Sequence, residues 1–228
     1  MLLLRFWAAS SGTMRLTYQR RKGTSDMHFV LVFDFGGVIV QTQTQAPRHA
    51  WDRSLGLALG TVESIVHGSE SWRQAQIGRI THEQHWAAVT RQLGLDAAQA
   101  AQLETDYFSA DAVAQDVVEL IERQRARGQR IALLSNDSSR LRDKLNRLDL
   151  THLFDPIVIS AEIGHMKPDA AAYRSLVDRL GVTPERTVFI DDMPANVEGA
   201  KAVGMNAVRY TSALRLEDVL ADYLVSDP

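Results

Sequence analysis

The sequence predicts an α/β fold: a doubly wound parallel sheet that carries a small inserted α-helical domain. Three observations predict it. Short apolar runs alternate with amphipathic helical stretches from residue 28 onwards. One long stretch, residues 42–111, breaks that alternation and reads as helices alone. Four of the apolar runs end directly in polar residues, and in open parallel sheets ligands sit at the carboxyl ends of strands.

The strands are taken in order. His28-Phe29-Val30-Leu31-Val32-Phe33 is apolar without alternation, as expected of a strand covered on both faces. Ile131–Leu134, Ile157–Ile159 and Thr187–Ile190 are three more, and Ala207–Tyr210 reads as a fifth at an edge. Between them Val113, Val117, Leu120 and Ile121 share a helix face, with Gly128 as the stop. Leu141, Leu145 and Leu148 form a second stripe. Leu176, Val177 and Leu180 lead to Gly181, and residues 195–203 lead to Gly204. Leu216, Val219, Leu220, Tyr223 and Leu224 predict a closing amphipathic helix over 216–224. Inside the insert, Thr81-His82-Glu83-Gln84 is a capping box that opens a helix ended by Gly94. Asp96 can cap the next, with Leu103 and Tyr107 on one face. Trp51, Trp72 and Trp86 all fall here and are read as packing residues. The expected layout is therefore a core of 28–41 plus 112–228, an insert of 42–111, and hinges near 40–46 and 109–114.

Composition excludes several classes of function. Twenty-five basic and 28 acidic residues give a net charge of −3, which is no broad nucleic-acid signature. The Arg123, Arg125 and Arg127 cluster reads as an exposed helix end. There is no cysteine, hence no disulfide, thiol nucleophile or zinc–thiolate site. No apolar run is long enough to span a membrane. A cytoplasmic monomer or homodimer is expected. Residues 1–27 stand apart, with Arg5, Arg15, Arg20, Arg21 and Lys22 against Asp26 alone. They fit an organelle transit segment or, preferably, an over-extended start before Met27, and disorder is expected of them.

The strand ends point to one chemistry. Asp34, at the end of the first strand and followed by Gly36 and Gly37, is placed to be an exposed nucleophile. Ser135 and Asn136 offer a hydroxyl and an amide to phosphate oxygens. Lys167 can neutralise both a carboxylate and a transferring phosphoryl group. Asp191 and Asp192, beside Asp34, make a hard oxygen site for Mg²⁺. Singly, Asp34 or Ser135 could be a helix cap and Asp191-Asp192 an acidic turn. Four such motifs at four strand ends favour a site.

The motifs F-D-F-G-G-V, L-L-S-N-D, K-P-D and F-I-D-D-M-P-A-N-V-E-G-A, in that order, resemble those of the haloacid dehalogenase superfamily. The resemblance spans about residues 28–210 and is greatest to its small-capped, sugar-phosphate phosphatase-like group. It implies a Rossmann-like core, a helical cap, and Mg²⁺-dependent hydrolysis of a small phosphorylated metabolite. Asp34 would form an aspartyl-phosphate. Ser135, Asn136, Lys167 and the backbone at Gly37 would hold the phosphoryl group. Asp34, the Gly36 carbonyl and Asp192 would bind the metal, with Asp191 acting through water.

One residue departs from the pattern. Phosphatases of the family usually have an aspartate two residues after the nucleophile, and here that position is Gly36. Such an acid/base is worth ~10²–10⁴-fold in rate. His49, Asp52, His82 and His85 are candidates to replace it by location. The departure keeps two other readings open: a metal-free 2-haloacid dehalogenase, and a non-catalytic phosphate-ligand-binding protein. A phosphoryl mutase is less favoured, because mutases rely on the missing acid. The paired carboxylates favour the phosphatase.

Overall fold

The computed structural model describes residues 29–225. The N-terminal extension expected over 1–27 lies outside them, as does His28.

Five parallel strands form the main sheet: β1 (Val30–Phe33), then β4 (Arg130–Ser135), β5 (Ile157–Ile159), β6 (Thr187–Asp191) and β7 (Asn206–Arg209), in the order β5-β4-β1-β6-β7. The chain winds outward from β1 first on one side and then on the other, so a crevice opens at the carboxyl end of β1. The period-two alternation of strand side chains explains the unbroken apolar runs. Leu31, Phe33, Ile131, Leu133, Val188 and Ile190 point into one core, while Val30, Val32, Ala132, Leu134 and Phe189 point into another. The first core is covered by α6 (Gln115–Ala126), α7 (Leu141–Arg147) and α11 (Leu216–Leu220). The second is covered by α9 (Ala170–Leu180) and α10 (Pro194–Ala202). Truncating a fully buried Leu31 or Phe33 to alanine costs about 2–5 kcal/mol. A four-residue turn of helix, α8 (Ser160–Ile163), follows β5.

The segment without main-sheet strands holds five helices: α1 (Ala46–Ser54), α2 (Thr61–His67), α3 (Glu70–Gln76), α4 (His82–Leu93) and α5 (Ala97–Tyr107). They share a small core of their own around Val62, Val66, Trp86, Val89, Leu103 and Tyr107. The capping box at Thr81 and Gln84 forms, Gly94 ends that helix in a left-handed conformation, and Asp96 caps α5 with a second box.

Two expectations are corrected. Residues 42–111 were to hold no strand, but β2 (Val40–Thr42) and β3 (Asp111–Val113) pair antiparallel where the chain leaves and re-enters the core. Three-residue strands are too short to show alternation, and each exists only through the other. The closing helix stops at Leu220 instead of 224, where Tyr223 N–H turns back to the Leu220 carbonyl. Tyr223 still packs edge-on against Phe29, so the apolar stripe is used without the helix. No helix among the described residues is long and apolar enough to cross a membrane.

Candidate active site

Asp34, Ser135, Asn136 and Asp192 meet on the floor of one cavity of about 860 Å³, with Lys167 and Asp191 enclosed beneath it. Asp34 follows β1, and its backbone N–H continues the ladder to the Ile190 carbonyl. Its Oδ1 accepts from Phe35 N–H at 2.7 Å and from Lys167 Nζ at 2.8 Å. Oδ2 has no protein donor among the described residues. Burial pushes the Asp34 carboxyl up to about 7, with neighbouring Asp191 adding to the rise and Lys167 opposing it.

Lys167 is wholly enclosed. Its ammonium has three donors, and three acceptors take them: Asp34 Oδ1, Asp191 Oδ2 at 2.7 Å and the Leu134 carbonyl at 3.0 Å. Its backbone is tied twice to the Asn136 side chain, which donates to the Lys167 carbonyl and accepts from its N–H, both at 2.8 Å. The Asn136 amide is therefore spent on holding the lysine loop. What remains of Asn136 for a ligand is its backbone N–H. Ser135 lines the cavity at the end of β4, and its hydroxyl has no protein partner among the described residues.

Asp191 is buried and fully committed. Besides Lys167, it accepts from Met193 N–H at 2.8 Å, and Asn196 Nδ2 donates to its Oδ1 and Oδ2 at 3.1 and 3.0 Å. Asn196, read from sequence as a support residue, thus fixes a carboxylate. Asp192 is half-buried, and its carboxyl is raised by desolvation and by Asp191. Gly37 explains its own presence. Its φ is +77°, and a Cβ there would lie 2.4 Å from Asp192 Oδ2. Gly199 does likewise for α10: a Cβ would meet the Pro168 carbonyl at 2.8 Å, so only glycine lets α10 seat against the loop carrying Lys167.

Oxygens of Asp34, Asp191 and Asp192 all lie within 4.8 Å of one another. Three carboxylates face a single enclosed ammonium. That donor set is all oxygen and carries excess negative charge, so it fits a hard divalent cation.

The five helices supply the opposite wall. Of the four residues named as replacements for the missing acid, only His82 reaches the cavity. Its two ring nitrogens bond Glu104 at 3.0 Å and Ser138 at 3.3 Å. His85 is buried, with Nδ1 on Ser71 Oγ, and burial holds it down at about 4, aided by the fields of His82 and His67. Asp52 is buried and accepts from Gly60 and Val62 N–H, fixing the α1–α2 turn. His49 does not line the cavity.

Sequence reasoning missed His67, which does line it, at the last position of α2. Its Nδ1 lies 3.4 Å from Glu63 Oε1 and 3.0 Å from the Tyr107 hydroxyl. Glu63 also pairs with Arg48 at 2.6 Å and accepts from Tyr107 at 2.6 Å. Burial would raise Glu63, but its bonds to His67 and Tyr107 and the nearby charges hold it down at about 2. Tyr107 is driven the other way by burial and by Glu63, so it stays a phenol. The i, i+4 spacing of Glu63 and His67 was the available signal. Of the tryptophans, Trp51 and Trp86 pack in the helical core as expected, while Trp72 lines the cavity beside His67.

A parallel α/β core with an acid cluster and an enclosed lysine at its strand ends is suited to holding a divalent cation beside a charged ligand. Comparison with known proteins agrees. The model of the haloacid dehalogenase-like hydrolases matches residues 30–204, and the chain belongs to that family. It is 40% identical over 96 residues to a phosphoserine phosphatase of Thermus thermophilus, a match spanning 41% of this chain and 39% of that protein. It is 27% identical over 190 residues to a sesquiterpene phosphatase of Aspergillus oryzae, covering 80% of this chain and 90% of the relative. Among solved structures, a haloacid dehalogenase family enzyme of Bacteroides thetaiotaomicron, in complex with magnesium and inorganic phosphate, superposes with a TM-score of 0.70. That likeness covers 84% of this chain and 98% of the other at 17% identity, and bears on the fold.

Proposed function

We propose that this hydrolase is a Mg²⁺-dependent phosphatase acting on a small phosphomonoester, with sugar phosphates the favoured class, through an aspartyl-phosphate at Asp34. The observation that carries the reading is the clamp of Lys167 between Asp34 and Asp191 just beneath the cavity, with Asp34 and Asp192 in its floor. The names of the relatives, a phosphoserine phosphatase and a sesquiterpene phosphatase, support phosphate ester chemistry.

Asp34 attacks phosphorus and the ester oxygen leaves. Lys167 holds Asp34 in place and offsets charge that grows on the phosphoryl oxygens. The Ser135 hydroxyl and the backbone N–H groups of Asn136 and Gly37 hold those oxygens. Water then attacks the aspartyl-phosphate, freeing phosphate and restoring the carboxylate. Asp34, Asp192 and the Gly36 carbonyl would hold Mg²⁺, with Asp191 supporting them. Bound there, Mg²⁺ supplies a Lewis acid for the phosphoryl oxygens and cancels the excess carboxylate charge. Helices α1–α5 act as a cap that admits substrate and then excludes water. A cysteine-free chain acting on phosphorylated metabolites suits the cytoplasm.

Phosphate release from a panel of phosphomonoesters, measured with Mg²⁺ and with EDTA, tests the reading. Release that EDTA abolishes supports it. No release from any ester, with Mg²⁺ bound, overturns it. Gly36 favours one alternative, a 2-haloacid dehalogenase, and halide release from 2-chloropropionate without Mg²⁺ would establish that instead.

A further inference from the structure

We propose that His67 is the acid and base that Gly36 leaves out: a catalytic residue supplied by the helical wall instead of the strand end. The proposal rests on the phosphatase reading above and assigns its proton transfers.

Three observations lead to it. First, the usual place for the acid is vacant, since a Cβ built on Gly36 would meet nothing within 4 Å. Second, the other titratable groups that line the cavity wall are already engaged. His82 uses both nitrogens, Glu104 is bonded to His82, and Asp111 pairs with Arg48 and Lys144. Asp137 accepts from Ser138. Third, the surroundings of His67 fix which nitrogen titrates. The Tyr107 hydroxyl gives its proton to Glu63 Oε2 at 2.6 Å, so toward His67 only its oxygen lone pairs are available. Nδ1 must therefore carry the hydrogen, shared between Tyr107 and Glu63 Oε1. Nε2 is left as the titrating atom, and it has no protein partner among the described residues. The His67 side chain is 33% exposed, on the wall of the cavity that has Asp34 in its floor.

The charges around it are mixed. Glu63 and Asp137 are the acidic groups near His67, and Arg48, His82 and His85 the basic ones. Trp72 lies 5.1 Å from the ring, where an aromatic face stabilises a cation. The proton balance is simple. As Asp34 bonds to phosphorus and the ester P–O bond breaks, Nε2–H of the imidazolium passes its proton to the departing oxygen. Neutral Nε2 then takes a proton from the water that attacks the aspartyl-phosphate. The P–O bond to Asp34 breaks, phosphate leaves and the imidazolium is restored.

The test is the leaving-group dependence of kcat/KM for wild type and His67→Gln, with Mg²⁺ present, from p-nitrophenyl phosphate to sugar phosphates. A phenolate needs little protonation and an alkoxide needs much. His67→Gln should lower kcat/KM on alkyl esters by ~10²-fold or more, and on p-nitrophenyl phosphate by less than ~10-fold. Its kcat on p-nitrophenyl phosphate should fall behind a burst of nitrophenol, because the second step has lost its base. An equal loss on every ester, or no loss, overturns the proposal. Should His67→Gln not fold, Glu63→Gln serves: it should move the basic limb of the kcat/KM pH profile down by about one unit, and an unmoved limb overturns the proposal. A wild type that releases no phosphate from any ester sinks the phosphatase reading with it. Turnover whose leaving-group dependence ignores His67 overturns this proposal alone.

Discussion

Beneath the cavity floor Lys167 is fully enclosed and its three donors meet three acceptors, all at or next to the ends of three neighbouring strands. In the wall above, Glu63 and His67 are each about a third exposed and are held by side chains from α1 and α5. The floor is set by backbone: parallel pairing of β4, β1 and β6 fixes where each motif emerges. The wall is set by packing between helices that share only a small core. The nucleophile and the groups around it belong on the backbone-set part, whereas the wall can vary with the substrate and, through His67, lends the proton transfers.

Substitutions can break this contrast, beginning with the floor. Asp34→Asn should lower turnover of every ester by ~10⁴-fold or more, with the fold intact by circular dichroism. Residual activity near wild type would remove Asp34 from the nucleophile's role. Asp192→Asn should cost ~10–100-fold in Mg²⁺ affinity, read by titrating activity against Mg²⁺, again for all esters alike. A wall substitution should behave differently. Trp72→Ala should change the ranking of substrates through KM, several-fold in either direction, while the maximal rate on p-nitrophenyl phosphate stays within about threefold. A uniform collapse across the panel would mean that wall and floor are not separable.

The smallest effect concerns stability. Folded, metal-free protein keeps a proton on Asp34 up to about pH 7, whereas an unfolded chain gives it up near 3.8. Between those values the folded state binds more protons, so its stability falls as pH rises from about 4 to 7. The melting temperature in EDTA should decline over that window, and Asp34→Asn should flatten the decline. The same slope in wild type and Asp34→Asn would contradict the burial of Asp34.

The same contrast explains what was legible in the sequence. Asp34, Ser135, Lys167, Asp191 and Asp192 could be read because each directly follows, or lies shortly beyond, an apolar run long enough to recognise, and strand ends converge in this fold. Gly37 and Gly199 were visible as letters of the motifs, but the near-collisions with Asp192 and Pro168 that require them are three-dimensional facts. Asn136 was read as a phosphate ligand, whereas its amide clasps the Lys167 backbone 31 residues away. Helix positions defeated the reading most. His67, His82 and His85 look alike as letters on helices, and only the packing of α2, α4 and α5 decides that His67 and His82 line the cavity, that His82 is bonded on both sides and that His85 is buried. The β2–β3 ribbon escaped because its two halves lie some seventy residues apart in the chain.

That ribbon has a consequence for how such a protein can diversify. Thr42 and Asp111 are direct partners across it, tied further by the Thr42 hydroxyl to the Asp111 carboxylate at 2.7 Å. The chain therefore leaves the sheet and returns to it about one strand spacing away, roughly 5 Å. Everything between is a detour that meets the core again only at the strand-end loops, through contacts such as Gln76 to the Asn136 carbonyl and His82 to Ser138. Residues 43–110 could be exchanged for another segment as a cassette, like a bit in a chuck, leaving Asp34, Ser135, Lys167, Asp191 and Asp192 in place, provided the new segment brings its own counterpart of His67.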